Sequence, residues 1–178
     1  VISDANRLVL PGVGSFSSGM MHLKRLGIID AIHDFVEKGN PLLGICLGMQ
    51  MLFDSGNEHG KHKGLGLIPG VVDKISVRSE TEKNRKIPHI GWSALTTLGC
   101  ESDWSDSCLV NIYQGDYVYF VHSYMAILEE NKYLLSQCKD EGLLIPAAIK
   151  KNNITGLQFH PEKSGRIGLQ ILNDFSNL

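Results

Sequence analysis

The nine residues Leu42-Leu43-Gly44-Ile45-Cys46-Leu47-Gly48-Met49-Gln50 limit most tightly how this chain can fold. The apolar run 41–45 reads as a buried strand. It stops at Cys46, and residues 47–53 read as the start of a helix. Gly44 and Gly48 stand two residues on either side of the cysteine. This is the pattern of a nucleophile elbow, with cysteine in the place of serine. A sharp strand-to-helix turn holds such a residue in a strained backbone conformation, and flanking glycines remove the side chains that would clash there. The turn also sets the sulfur at a helix N-terminus, where the dipole and free N–H groups favour thiolate. An ordinary free cysteine is more often a buried structural residue. The paired glycines and the change of element set Cys46 apart.

The remaining chain offers a frame for that turn. Residues 7–10 form a short apolar strand ending in Pro11-Gly12-Val13-Gly14-Ser15-Phe16. Two glycines after a strand let backbone N–H groups face an anion, although a plain strand-to-helix turn would look the same. Residues 17–38 keep a helical period through Met20, Leu23, Ile28, Ile32, Phe35 and Val36, with Ser17 or Ser18 as cap and Gly39-Asn40-Pro41 as the stop. Two strand–helix units in succession predict parallel α/β architecture. Residues 54–63 read as a polar loop, 64–70 as a turn-rich connector, 71–77 as a strand, and 78–86 as an exposed charged turn. Ile87-Pro88-His89-Ile90-Gly91-Trp92 reads as an edge strand or strand start, and 98–107 is polar and turn-like. Residues 117–124 have the highest β-propensity in the chain. Further strands are expected at 133–139, 145–150 and 155–159, with a turn at Asn152-Asn153 and a last helix over 165–175.

Length and composition exclude several classes. A chain of 178 residues suits one domain spanning 1–178, and at this size about 70% of the unfolded surface is buried. With a net charge of −2 and no long basic run, nothing points to nucleic acid or an anionic membrane. The four cysteines, Cys46, Cys100, Cys108 and Cys138, are widely spaced and form no CxxC pair, which argues against a zinc site or disulfide framework and fits a reducing compartment. No apolar run approaches membrane-spanning length and no signal peptide precedes the first strand, so the expected location is cytoplasmic.

A second chemical motif lies near the other end. His160-Pro161-Glu162 follows a strand and precedes a helix, as Cys46 does. Thiol catalysis needs a base to take and return a proton, and a group that fixes the base's tautomer. Proline locks its own φ and so fixes the direction of His160 relative to Glu162. Singly, His160 reads as a surface or capping histidine and Glu162 as a helix N-terminal acid. In a parallel sheet, however, the strand C-termini share one edge, where ligands bind, so Cys46 and His160 can meet. His122 is a rival base with no acid beside it. His59 and His62 lack partners at metal-ligand spacing, and His22, His33 and His89 look incidental.

Gly44-Ile45-Cys46-Leu47-Gly48-Met49-Gln50 with His160-Pro161-Glu162 resembles the class I, triad glutamine amidotransferase domain. Pro11-Gly12-Val13-Gly14-Ser15-Phe16, Gly64-Leu65-Gly66-Leu67-Ile68-Pro69-Gly70, Pro88-His89-Ile90-Gly91-Trp92 and Phe120-Val121-His122-Ser123-Tyr124 narrow the likeness to the glutaminase subunits of imidazole glycerol phosphate synthase, the HisH family. The resemblance implies a three-layer, mostly parallel open sheet with helices on both faces and an antiparallel β-rich segment. It implies glutamine hydrolysis by a Cys46-His160-Glu162 triad through a glutamyl thioester, with no metal and no cofactor. Leu47 N–H would be one oxyanion donor and Val13 or Gly14 the second, on a strand misaligned until the partner binds its substrate. Gly12, Gln50, Ser123 and Tyr124 would hold the substrate glutamine. The implied partner is a (β/α)₈-barrel, HisF-like cyclase/synthase forming a heterodimer and receiving the ammonia.

Three departures accompany this likeness, one of them the unusual loop over residues 54–63. Relatives usually begin with an extra strand–helix–strand unit, and this sequence starts inside what should be the second such unit. Ser93 also stands after Trp92 where asparagine is common. Other readings are a HisH-like glutaminase serving a surface-polysaccharide sugar amidotransferase, a catalytically silent partner-binding subunit, or a cysteine peptidase or thiol hydrolase on the same kind of sheet. The intact triad argues against the silent subunit, and Gln50 and the PGVG segment favour glutamine over peptides.

Overall fold

The computed structural model describes residues 2–77, 85–98 and 104–178. The charged stretch 78–86 falls largely outside the described residues, as do Cys100 and half of the polar stretch 98–107. Strand β1 (Leu8–Gly12) leads into helices α1 (Phe16–Leu26) and α2 (Ile29–Glu37). Strand β2 (Leu42–Cys46) passes directly into α3 (Leu47–Met51). Strands β3 (Phe53–Gly56), β4 (His62–Lys63), β5 (Ile68–Lys74), β6 (His89–Ala94), β7 (Tyr117–His122), β8 (Tyr124–Leu128), β9 (Leu134–Asp140), β10 (Leu143–Lys151) and β11 (Ile154–Leu157) follow, and helix α4 (Gly165–Ser176) comes last.

The strands form a five-stranded sheet in the order β1-β2-β11-β10-β9, a four-stranded sheet β4-β3-β5-β8 and the ribbon β6-β7. Within the largest sheet, β1, β2 and β11 run parallel, while β10 and β9 are antiparallel additions. The α/β class is therefore as expected, with the parallel part concentrated where the elbow lies. Every residue of β2 is buried. Leu42 packs on one side with Phe16, Leu23 and Ile32 of α1 and α2. Leu43 and Ile45 pack on the other with Ile171 and Phe175 of α4. Helices thus cover both faces, as a buried parallel strand requires.

Several local expectations fail for identifiable reasons. The single helix over 17–38 is two helices. Gly27 adopts φ 66° and its N–H bonds back to the Leu23 and Lys24 carbonyls, which ends α1 with a left-handed cap. Ser15, rather than Ser17 or Ser18, is the N-cap, its hydroxyl accepting from Ser18 N–H. Helix α3 stops at Met51 because Phe53 already pairs with Ile68 in a sheet. The loop over 54–63 contains the rest of β3 and all of β4, and β5 begins inside the connector at Ile68. The long strand over 117–124 is cut at Ser123, so β7 pairs with β6 and β8 with β5. The turn at Asn152-Asn153 and the end of α2 near Gly39 are as expected.

The elbow depends on close approach. A Cβ at Gly48 would overlap the Leu10 carbonyl oxygen, and one at Gly44 would lie 2.8 Å from Met49 N. Neither obstacle can move, because both are backbone in paired elements. Gly48→Ala is expected to cost about 3 kcal/mol or more in a urea unfolding titration, at the severe end of overpacking; a loss below about 0.5 kcal/mol, typical of a surface change, would contradict this packing.

Candidate functional site

The register of the parallel strands sets out the site. Gly12 pairs with Cys46 on one side of β2, and Leu157 pairs with Ile45 on the other. One residue further, Gln158 stands level with Cys46. Its N–H bonds to Ala147 O on β10, and His160 N–H reaches Tyr119 O on β7. The segment leaving β11 is thus laid across the sheet edge toward the β6-β7 ribbon. Ser164 locks it there, donating from Oγ to His160 O at 2.6 Å and accepting from Tyr119 N–H at 3.0 Å.

Cys46 caps α3 with φ 52° and ψ −110°, a left-handed conformation strained for a side chain with a Cβ. Such strain is typical of an elbow nucleophile. The cysteine is buried, and burial pushes its thiol up to about 11, against which the Leu47 N–H pulls down; the Glu162 charge raises it and Lys163 lowers it. The expectation of a helix-stabilised thiolate is therefore corrected. Helix α3 is only five residues long, too short for a strong dipole, and desolvation of the sulfur wins. A proton acceptor must stand beside it.

His160 fits that need. Its ring is buried, and Nδ1 lies 2.7 Å from Glu162 Oε1, whose side chain is 51% exposed. A carboxylate only accepts, so Nδ1 carries the hydrogen and Nε2 is left as the acceptor. Cys46 and His160 line a single cleft of about 320 Å³ together with Leu47, Gln50, Ser123 and Tyr124, a volume at the small end of the range for small-molecule sites. Val13, 83% exposed, and Gly14 border its mouth. Gly12, expected at the substrate, is not among the described lining residues, and a Cβ there would crowd Leu47 Cβ at 3.1 Å. A larger hollow of about 710 Å³ lies elsewhere, among Lys132, Lys150 and Lys151, and its described lining includes no cysteine, serine or histidine.

Other placements differ from expectation. Gln50 borders the cleft, but its Nε2 is engaged by Tyr124 O and Gln158 Oε1, each at 3.0 Å, so only its oxygen faces outward options. His122 lines the cleft yet cannot act as a rival base. Its Nδ1 lies 2.8 Å from Tyr124 O and its Nε2 3.2 Å from His89 Nδ1. Burial drives it down to about 4, countered by the Tyr124 bond and helped by the nearby His89 and His160. His89 is thus not incidental.

Three lining or supporting residues escaped the sequence reading. Glu58 borders the cleft and accepts from Phe16 N–H at 2.7 Å at the start of α1; nothing in its polar loop signalled this. Lys163 follows Glu162 directly and also lines the cleft. Gln158, fully buried, has Nε2 3.8 Å from Cys46 Sγ; its place two residues before His160 was the available signal. Among the described residues there is no cluster of three or more metal-ligating side chains, and no helix long and apolar enough to cross a membrane.

The family model "Glutamine amidotransferase class-I" matches residues 2–177. The chain belongs to that family. This amidotransferase is 47% identical over 174 residues to "Imidazole glycerol phosphate synthase subunit HisH 1" of Legionella pneumophila (strain Lens), covering 98% of the chain and 82% of the relative. It is 41% identical over 178 residues to the HisH subunit of Bacillus subtilis (strain 168), covering 99% and 80%. It is 43% identical over 175 residues to "Imidazole glycerol phosphate synthase hisHF, chloroplastic" of Arabidopsis thaliana, covering 98% of the chain but 28% of that longer protein. Its fold matches "Structure of PurLQS from Thermotoga maritima" with a TM-score of 0.68 at 18% identity, covering 98% of this chain and 80% of that one.

The buried thiol makes a pH test available. Thiolate is the alkylated form, and its fraction rises as pH approaches the raised pKa. Iodoacetamide labelling of the Cys46 peptide in the free protein is expected to increase about tenfold per pH unit from pH 7 to 10. A rate that levels off near pH 7 would show a resting thiolate.

Proposed function

We propose that this chain is the glutaminase subunit of an imidazole glycerol phosphate synthase, hydrolysing glutamine and passing ammonia to a (β/α)₈-barrel, HisF-like partner in histidine biosynthesis. The observation that carries the chemistry is the His160 Nδ1–Glu162 Oε1 bond of 2.7 Å beside an elbow cysteine in one cleft. Cys46 is the nucleophile, His160 the acid and base, and Glu162 the group that holds the imidazole tautomer. As Sγ attacks the side-chain amide carbon, His160 Nε2 takes its proton, since a thiol raised to about 11 does not ionise in advance. The oxyanion meets Leu47 N–H and a peptide N–H at Val13 or Gly14. One such donor is worth about 3 kcal/mol. His160 then protonates the amide nitrogen, the C–N bond breaks, and ammonia leaves a glutamyl thioester. Water, deprotonated by His160, cleaves the thioester to glutamate.

The lining suits a zwitterionic amino acid. Glu58 offers a carboxylate to the α-ammonium group, and Ser123, Tyr124 and the Gln50 oxygen offer further polar contacts at the same wall. The ribbon supports a partner. In its antiparallel register Ile90, Trp92 and Tyr117 share one face and stand exposed, while the opposite face carries buried His89, Phe120 and His122. Apolar residues grouped on one face next to a cleft fit a protein interface. A barrel synthase docked there would cover the mouth at Val13 and receive the ammonia. The relatives named HisH, and the longer one named hisHF, support this pairing.

With a barrel synthase and its ligand present, Cys46→Ala is expected to release no ammonia from glutamine above background; substantial turnover would remove Cys46 as nucleophile. Glu162→Gln should lower kcat by about 10²-fold and leave KM nearly unchanged. The chain alone should show low glutaminase activity that rises strongly with the synthase and its ligand. Full activity alone would contradict a partner-gated site.

A further inference from the structure

A second line of hydrogen bonds reaches the nucleophile without passing through His160. It starts at Ser93 Oγ, 3.1 Å from His89 Nε2. His89 Nδ1 lies 3.2 Å from His122 Nε2, and His122 Nδ1 lies 2.8 Å from Tyr124 O. The same carbonyl accepts from Gln50 Nε2, which also donates to Gln158 Oε1. Gln158 Nε2 finally points to Cys46 Sγ at 3.8 Å.

The direction of this line is set from one end. A carbonyl only accepts, so His122 carries its hydrogen on Nδ1 and accepts at Nε2. His89 must then donate from Nδ1 and accept at Nε2, and Ser93 must donate its hydroxyl. Burial lowers the pKa of both histidines, with Asp140 opposing and Arg85 adding to it at His89, so both rings are neutral at pH 7. Ser93 and His89 are four residues apart, about 13 Å along a straight strand. They meet across Gly91, whose φ of 141° departs from straight strand geometry.

We propose that Gln158 is a positioning residue for Cys46, holding an amide N–H on the sulfur, and that the Tyr124 carbonyl, which accepts from both Gln50 and His122, ties that placement to the His122–His89–Ser93 line. The proposal rests on the reading of Cys46 as nucleophile. Gln158 is fully buried and its oxygen is tied to Gln50, so its amide cannot rotate away from the sulfur without orphaning a buried donor. When His160 removes the thiol proton, Gln158 meets an anionic acceptor, and that bond strengthens. The reversed tautomer of His122 would turn a ring lone pair on the Tyr124 carbonyl and, with His89 unreversed, set two N–H groups against each other. The same arrangement leaves His122 no lone pair toward the cleft, so among the described residues His160 is the acceptor ring there.

The test uses the full chain and three readouts. In ¹⁵N-histidine-labelled protein, ring shifts are expected to show both His89 and His122 protonated at Nδ1; an Nε2-protonated His122 would overturn the proposal. At fixed pH, Gln158→Leu should slow iodoacetamide alkylation of the Cys46 peptide about tenfold, the loss of one donor to a charged acceptor. Ser93→Ala should slow it about threefold, with Ser93→Thr, which keeps the hydroxyl on a strand, returning the original rate. With a synthase and its ligand, Ser93→Ala should lower kcat and leave KM for glutamine unchanged. Unaltered alkylation in both Gln158→Leu and Ser93→Ala, or a Ser93→Thr protein as slow as Ser93→Ala, would overturn the proposal. If Gln158→Leu fails to fold by circular dichroism, the Ser93 pair and the ring shifts decide. A chain with the expected shifts and labelling rates that never hydrolyses glutamine would instead overturn the glutaminase reading.

Discussion

The close approach of β1, β2 and the first turn of α3 is the constraint on which the site rests. Gly48 lies against the Leu10 carbonyl and Gly44 against the Met49 amide, so the chain can turn from strand to helix within one residue. That turn is what puts Cys46 at a left-handed φ with its sulfur over the sheet edge. The parallel register then does the remaining placement. Gly12 comes level with Cys46 from β1 and Gln158 from beyond β11, and the crossing to Tyr119 delivers His160. A bulky residue at Gly48 would separate β1 from α3 and move all of these together.

Burial of the sulfur follows from the same packing and shapes the chemistry. A thiol pushed up to about 11 is unreactive at rest. That fits the proposed glutaminase, whose ammonia would pass to a partner. In the proposed mechanism, attack requires His160 in the correct tautomer, which the short bond to Glu162 favours, and donors for the developing charge. Two rings in the cleft could have competed for the proton. The hydrogen-bonded line through His89 removes His122 from that competition and leaves it a purely structural polar group.

The parts legible in the sequence were those with short-range signatures. The elbow, the His-Pro-Glu motif, the last helix and the turn at Asn152-Asn153 each rest on neighbours within a few residues. What escaped depended on tertiary partners. Gly27 inside a periodic helical stretch looks tolerable until its left-handed cap forms. Residues 54–63 look like a loop because β3 and β4 are strands only through their pairing with each other and with β5. Glu58, His89 and Gln158 acquire their places from residues far along the chain: Phe16, His122 and Cys46. The thiol's direction of shift was misjudged because dipole and N–H effects are local, whereas burial is set by the whole fold.

In the proposed mechanism Cys46 carries the glutamyl group. Rapid acid quenching of the chain turning over glutamine with a barrel synthase and its ligand, followed by mass spectrometry of its peptides, tests it directly. A glutamyl thioester is expected on the Cys46 peptide, accumulating in the steady state and disappearing when glutamine is exhausted. Ammonia release with no adduct on Cys46, or with the adduct on another residue, would contradict it.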